Sequence, residues 1–246
     1  MRSAAARKAG GSTLAKAACA ASSQDLARLA LAALQDASSG PLAEERGIRF
    51  TTSKGKSFFL GTAFHTSEIQ DAVKDQVLAL LRANMKDMYD QSRSIHWNDD
   101  EKRADVDHEA ARLLLAWDDS PTPALAGYVL FRFDVEEVDD DDPCVRRGQD
   151  EVEIAYCYEL QIAPSAQRSG LGQVLVRTLE HISRATQLRK VMLTCFSFNQ
   201  DARKFYEAQG YELDLISPLS EDEDDDEEMR EAVPDYRIMS KRLIYQ

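Results

Sequence analysis

The sequence contains few side chains that could bind a soft metal ion or form cross-links. It has four cysteines and four histidines in 246 residues, and none of them stands in Cys-x-x-Cys or His-x-x-x-His spacing. We therefore expect no metal site and no structural disulfide. Because no stretch resembles a secretory signal, we expect reduced thiols in a reducing compartment.

Long apolar runs and stripes of basic residues are also missing. The longest apolar stretches fall far below the ~20 residues that a membrane span needs, so we expect no membrane contact. The net charge is −13, and acids concentrate in Asp134–Glu153 and Glu221–Glu231. Nucleic acid, whose phosphates require Lys and Arg, is therefore not an expected partner. An acidic field steers basic partners instead.

The composition divides the chain into a tail and one domain. Residues 1–22 are rich in Ala and Ser, and their charges are all basic. This composition is typical of a disordered tail, and a transit peptide shares it, so both interpretations stay open. Residues 23–246 are long enough for a single domain, which we expect to be monomeric. Its acid-rich stretches at 137–152 and 218–233 predict solvated loops.

A strand, a glycine loop and a helix follow one another in the middle of the chain. The strand Tyr156–Ile162 leads into Gln167–Gly172, after which apolar residues recur at helical spacing. Two glycines let the backbone N–H groups point into a helix N-terminus, which suits phosphate oxygens. The loop lacks the Gly-Lys-Ser/Thr of nucleotide-triphosphate loops and the third glycine of dinucleotide binders.

Two further segments extend this pattern. The apolar strand Lys190–Phe196 is followed by Asn199–Tyr211, which predicts a helix. Over about residues 124–216 the chain resembles the GCN5-related acetyltransferases. The resemblance implies an α/β (α+β) fold whose central mixed, mostly antiparallel sheet is flanked by helices. It also implies acetyl-CoA as cosubstrate, without a metal.

The same resemblance implies which residues bind acetyl-CoA. Backbone N–H groups of the glycine loop would hold the pyrophosphate, and the main chain at the end of the preceding strand would hold the pantetheine arm. Asn199 matches a position that contacts the cofactor. The residues of the first two groups are Arg168, Ser169, Gly170, Leu171, Gly172 and Gln173, and Leu160, Gln161 and Ile162.

Three other segments resemble a narrower branch, the histone-specific N-terminal acetyltransferases (N-alpha-acetyltransferase D). They are Asn84–Ser92, His96–Arg103 and Phe131–Glu136. The branch implies acetylation of the α-amino group of histone H4 and histone 2A, which begin Ser-Gly-Arg-Gly, in the cytoplasm and nucleus. The basic histone tails would be the partners. One departure is that Ile95 precedes a single tryptophan, Trp97, where the branch usually has two.

Glu159 is the candidate general base. Strand alternation predicts that it shares a face with Cys157, opposite the tyrosines. A carboxylate inside a strand is costly to bury unpaired, so a structural role beside an arginine is the alternative. An α-amine has a pKa near ~8 against ~10.4 for lysine, so a carboxylate acting through water suffices to deprotonate it. By resemblance Tyr206 would protonate the departing thiolate, although a core role is also open.

An arginine in the substrate requires carboxylates. Asp134 and Glu136 stand two apart on one predicted strand face, and Val135 between them offers main-chain contacts. By resemblance, further residues would contact the peptide, although each could equally be routine packing: Tyr89, Trp97, Tyr158, Thr194 and Tyr236.

Two other functions remain open at this point. One is a related enzyme that acetylates a lysine, a polyamine or a ribosomal protein. The other is a histone-tail binding module without turnover, against which the glycine loop and Glu159 argue because a binding module needs neither.

Overall fold

In a computed structural model of the chain, the described residues are 17–35, 47–61, 64–137, 143–144, 151–218 and 233–243. Their strands form one sheet in the order β1-β2-β3-β4-β5-β6-β8-β7, in which only β5 and β6 pair in parallel. This is the mixed, mostly antiparallel sheet that the sequence predicted. The strands are β1 Ile48–Thr51, β2 Ser57–Leu60, β3 Arg112–Asp118, β4 Leu125–Glu137, β5 Glu151–Ile162, β6 Lys190–Phe196, β7 Glu212–Leu213 and β8 Tyr236–Arg242.

Helices cover both faces of the sheet. Because successive side chains of a strand point to opposite faces, Val129 and Phe131 of β4 pack in one apolar cluster with α1 and α4, whereas Tyr128 and Leu130 pack in another with α2 and α3. The helices are α1 Ser23–Gln35, α2 Asp71–Gln91, α3 Asp99–Asp107, α4 Leu171–Ala185 and α5 Gln200–Ala208, and 3-10 turns lie at Thr66–Glu68 and Pro164–Ala166.

The parallel strands β5 and β6 separate half-way along β5. Their register runs from Ile154 opposite Lys190 to Cys157 opposite Leu193. Beyond that point β5 stays paired with β4, while β6 stays paired with β8. A cleft therefore opens between the ends of β5 and β6.

A β-bulge at Tyr158 lies at the point of separation. Leu130 of β4 is opposite Glu159, whereas the next residue, Phe131, is opposite Cys157. Tyr158 is thus an extra residue, and the alternation of side chains is interrupted. Cys157 packs with the cluster on the α4 face, and Glu159 contacts α3 on the other face. The prediction that Cys157 and Glu159 share a face was therefore wrong.

The predicted tail and acidic loops are only partly described. Residues 1–16, and most of the acid-rich stretches at 137–152 and 218–233, lie outside the described residues. Residues 17–22 pack against the sheet: Ala18 is buried, and the Arg112 guanidinium donates to the Cys19 carbonyl at 2.7 Å. Part of the predicted tail, at Ala18 and Cys19, therefore contacts the domain. None of the described helices combines the length and apolar character that crossing a membrane requires.

Candidate active site

The cleft between β5 and β6 collects side chains from four elements. Its lining includes Tyr89 of α2, residues 157–161 of β5, Thr194 of β6, and Asn199 and Tyr206 at α5. These residues are up to 117 positions apart in the chain. The separation of the two strands therefore brings together the predicted base, the predicted acid and three predicted peptide contacts, Tyr89, Tyr158 and Thr194.

Glu159 is buried and held from two sides. Its Oε1 lies 3.2 Å from the Lys102 Nζ of α3, and its Oε2 accepts a hydrogen bond from the Gln161 side chain at 3.0 Å. The side-chain amide oxygen of Gln161 (Oε1) in turn accepts a hydrogen bond from the Asn84 side chain of α2 at 3.0 Å. The alternative role for Glu159 assumed an arginine partner, but the cation beside it is a lysine that the sequence did not single out.

Lys102 also contacts Tyr89. Its ammonium donates to the Tyr89 hydroxyl and lies 4.4 Å from the centre of the Tyr89 ring. Burial by itself lowers the pKa of Lys102, but the Glu159 carboxylate and the Tyr89 hydroxyl outweigh it, so the pKa of Lys102 is raised. Burial and the nearby Glu159 charge raise the pKa of Tyr89. The lysine therefore stays charged and the tyrosine stays neutral.

Aromatic rings form one wall of the cleft. The Tyr89 ring meets Trp97 edge-on at 5.5 Å and Phe196 at 5.1 Å, and Phe196 stacks on Phe198 at 5.0 Å. Trp97 is fixed by a hydrogen bond from its indole N–H to Asp99. These contacts make the wall apolar and fix the orientation of its rings.

Tyr158 and Thr194 are held by neighbours on the same face. The Arg132 guanidinium lies 4.3 Å from the centre of the Tyr158 ring and bonds to the Asp105 side chain at 3.2 Å. The Thr194 hydroxyl forms a hydrogen bond with that of Tyr156. The bulge thus turns Tyr158 toward the Glu159 side of the sheet.

Asp134 and Glu136 lie on this face but farther along β4. Asp134 is four residues beyond Leu130, which is opposite Glu159, and this corresponds to about 13 Å along the strand. Val135, predicted to offer main-chain contacts to the peptide, donates its N–H to the Asp134 side chain at 2.9 Å. The peptide contact at Val135 would therefore have to use other backbone atoms.

Tyr236 begins β8, where it is opposite Phe196. Beside it, the buried Asp235 carboxylate accepts from the Ser92 hydroxyl at 2.8 Å and from the Arg93 N–H at 2.7 Å. Burial raises the pKa of Asp235, but these donors and Ser94 lower it more, so the net shift is downward. Asp235 therefore anchors the segment that leads to Trp97, a role that the sequence analysis missed.

The glycine loop has the shape that a phosphate site requires. Gly170 has φ 87° and Arg168 has φ 57°, both left-handed, and α4 begins at the next residue, Leu171. The first N–H groups of a helix have no partner within the helix, so those of Gly172 and Gln173 are suited to bind anionic oxygens, whereas the Leu171 N–H donates to the Ser169 hydroxyl at 3.4 Å. Thr52, from the turn after β1, fixes the loop by donating to the Ser169 carbonyl at 2.6 Å.

Three of the other predicted cofactor residues, Leu160, Gln161 and Asn199, line the cleft. Leu160, Gln161 and Ile162 follow the point at which β5 leaves β6. Asn199 uses its side-chain oxygen to cap α5, accepting from the Ala202 N–H at 3.2 Å, which leaves its amide NH₂ as a donor. The described residues therefore fit an extended cofactor that runs from the loop into the cleft.

Tyr206 is buried at the inner end of the cleft. Burial raises its pKa well above the ordinary value for tyrosine, so the hydroxyl keeps its proton. Burial also raises the pKa of the neighbouring Cys195 to about 11. Tyr206 is therefore protonated at neutral pH, but its raised pKa makes it a weaker acid than an exposed tyrosine. The Cys195 thiol is not a competing nucleophile at neutral pH.

Comparison with known proteins identifies the fold family. Residues 78–211 match the acetyltransferase (GNAT) family. The chain belongs to this family. The predicted acetyl-CoA-dependent acetyl transfer is thereby confirmed at the level of the family. Within the described residues, no group of three or more His, Cys, Asp or Glu side chains could hold a metal ion.

Solved structures with a similar fold include three acetyltransferases. Arabidopsis thaliana NAA60 with a bisubstrate analogue is 14% identical, with 68% of this chain and 95% of that chain covered and a TM-score of 0.48. A. thaliana Naa50 with the bisubstrate analogue CoA-Ac-MVNAL is 16% identical, with 75% of this chain and 97% of that chain covered and a TM-score of 0.44. The PaiA N-acetyltransferase of Thermoplasma acidophilum with coenzyme A is 13% identical, with 75% of this chain and 98% of that chain covered and a TM-score of 0.48.

Proposed function

We propose that the chain acetylates the α-amino group of proteins that begin Ser-Gly-Arg-Gly, as histones H4 and 2A do. The observation that carries the proposal is the spacing of carboxylates on one face of the sheet. Glu159 lies where β5 leaves β6. Asp134 lies on the same face about 13 Å from the level of Glu159 along β4, and Glu136 lies two residues beyond Asp134.

This spacing agrees with the length of the substrate. Two extended residues span about 7 Å, and an arginine side chain reaches roughly 6 Å farther. An amine near Glu159 would therefore bring the third residue's guanidinium to the level of Asp134. Carboxylates are the preferred partners of a guanidinium because the pair can form charge-assisted hydrogen bonds.

The residues of the cleft can carry the proton transfers. Bound acetyl-CoA would supply the activated acetyl group, held by the loop before α4 and by the end of β5. Glu159 would accept the proton of the α-amine through water, and Tyr206 would return a proton to the leaving sulfur. The Tyr89, Trp97 and Tyr158 side chains would close around the serine and glycine that begin the peptide.

Charge supports a basic protein tail as the partner. The formal charge of the chain is −13, and the acid-rich stretches would draw a cationic tail toward the cleft. As part of the same proposal, we place the protein in the cytoplasm and nucleus, where histones are made and used.

Three peptides test the proposal by mass spectrometry after reaction with acetyl-CoA. They are a peptide beginning Ser-Gly-Arg-Gly, its N-terminally blocked copy, and a copy in which arginine is replaced by alanine. We expect acetylation of the first, none of the second, and a large loss for the third. Modification of a lysine in the blocked peptide would instead favour a related enzyme with another amine substrate.

The variant Asp134→Asn separates the arginine pocket from the chemistry. It should lower kcat/KM for the arginine peptide by about 10- to 100-fold, corresponding to ~1.5–3 kcal/mol for a hydrogen bond to a charged group. The alanine peptide, which lacks the guanidinium, should react equally with the wild type and the variant. Equal losses for both peptides would contradict the role of Asp134.

A further inference from the structure

Lys102 is the charged group nearest to Glu159, the candidate base. Neither the sequence analysis nor the proposed function gave this lysine a role. It lies on α3 with 7% of its side chain exposed, and Glu159 has 9% exposed. Leaving one charge of such a pair unpaired is costly, because burial penalises an unbalanced charge. The pairing must therefore affect the charge of Glu159 itself.

The geometry fixes the carboxylate as well as its charge. Lys102 Nζ contacts one carboxylate oxygen at 3.2 Å, and Gln161 donates to the other at 3.0 Å. The same ammonium is fixed by the Tyr89 hydroxyl. Side chains of α2 and α3 thus hold the Glu159 carboxylate of β5 in a single orientation. Its remaining lone pairs can still accept a further hydrogen bond.

The other titratable groups that couple to Glu159 do not replace the lysine. They are Tyr89 on α2, Tyr128 on β4, Cys157 on β5 and Tyr206 on α5, and burial raises the pKa of each, so all four are neutral near pH 7. Asp105 on α3 couples to Lys102 and Tyr89, and the Arg132 guanidinium of β4 bonds to the Asp105 side chain and not to Glu159. Lys102 is therefore the cation in this set.

We propose that Lys102 is a positioning residue that keeps the Glu159 carboxylate ionised and correctly oriented in the cleft. Lys102 is not itself the base, because its raised pKa keeps it protonated. The inference rests on the proposed role of Glu159, but not on the identity of the peptide. Without the cation, a buried carboxylate takes up a proton at higher pH and can no longer accept one from an amine.

The pH dependence of kcat/KM tests this role. Lys102→Gln keeps a hydrogen-bond donor but removes the charge, whereas Lys102→Arg keeps the charge. The ratio of wild-type to variant kcat/KM cancels the titration of the peptide's own amine. For Lys102→Gln we expect this ratio to grow by about 10-fold from pH 9 to pH 6, which requires that about 90% of the variant's Glu159 carboxyl groups be protonated at pH 6. For Lys102→Arg it should stay nearly constant.

A purely structural role would give a different result. Loss of packing would lower activity by the same factor at every pH, and Lys102→Arg would then show the same pH dependence as Lys102→Gln; either outcome overturns the proposal. Lys190→Met, assayed below its melting transition, is the matched control, since it removes a second buried lysine that pairs with Asp214 away from the cleft. Its ratio to wild type should not change with pH.

A second readout does not depend on turnover. Infrared difference spectra of the protein without acetyl-CoA, recorded against Glu159→Gln, follow protonation of the Glu159 carboxyl group directly. The protonated band should appear at higher pH in Lys102→Gln than in wild type, and Lys102→Met replaces that variant if it does not fold. Identical titrations would refute the inference. Failure of the wild type to acetylate the peptide would refute only the proposed function.

Discussion

Two buried lysine–carboxylate pairs lie near β5 and β6, and their surroundings differ. Lys190 and Asp214 are 3.0 Å apart with 3% and 2% of their side chains exposed, and Lys190 lies opposite Ile154, where the two strands are paired. Lys102 and Glu159 are 3.2 Å apart and nearly as buried, but Glu159 lies beyond the last pair of that register.

The comparison shows that burial and ion pairing alone do not identify a functional site. The Lys190 pair connects β6 to the segment after β7, where the Asp214 N–H also bonds to β8. The strands are paired at this point, and Lys190 and Asp214 line a separate pocket with residues of β7 and β8. At the other end, the same two strands have separated, and Glu159 lines the cleft between them. The separation of the strands, and neither the pair nor a pocket by itself, indicates chemistry.

The largest expected effect is on the pair that borders the cleft. Glu159→Gln keeps the shape of the side chain but removes the base, so kcat should fall by about 10²- to 10⁴-fold while the peptide KM changes little. Steady-state kinetics with the Ser-Gly-Arg-Gly peptide measure both constants. The matched variant Asp214→Asn should keep its kcat. If both variants lost kcat to the same extent, the two pairs would not differ as we infer.

The Lys190–Asp214 pair, which should not affect kcat, should instead contribute to the stability of the fold. Lys190→Met leaves the Asp214 carboxylate buried without its cation, which should lower the free energy of unfolding by about 3–5 kcal/mol. Urea denaturation measures this change. The double variant Lys190→Met/Asp214→Leu should recover much of the loss, because an apolar pair of similar volume often replaces a buried ion pair without cost. A double variant as unstable as Lys190→Met would contradict this explanation.

The sequence predicted the elements whose signals are local. The run from Tyr156 to the helix that begins after Gly170 was predicted correctly, because glycines and apolar periodicity specify it within about twenty residues. Glu159 was selected as the candidate base from its position on a central strand.

The features that were missed depend on distant partners. The Lys102–Glu159 contact joins residues 57 positions apart, and the Ser92–Asp235 contact joins residues 143 apart. No periodicity indicates such contacts, although Asn84 and Lys102 both lie in segments that carried the resemblance. The bulge at Tyr158 depends on how β5 pairs with β4, and alternation within one strand cannot reveal it. This is why Glu159 was placed on the wrong face.

The smallest effect concerns Asp235, a buried carboxylate held by hydrogen bonds. Its lowered pKa means that it stabilises the fold above the unfolded pKa of about 3.9, and that this contribution is lost as pH falls through the folded pKa. Asp235→Asn should cost about 1–2 kcal/mol at pH 7, and the gap to wild type should narrow below about pH 4. Urea unfolding at both pH values measures the gap. Asp99→Asn, which alters an exposed carboxylate beside Trp97, is the control and should change stability far less. A gap that stayed constant with pH would mean that Asp235 acts by shape and not by charge, unlike the two lysine-paired carboxylates.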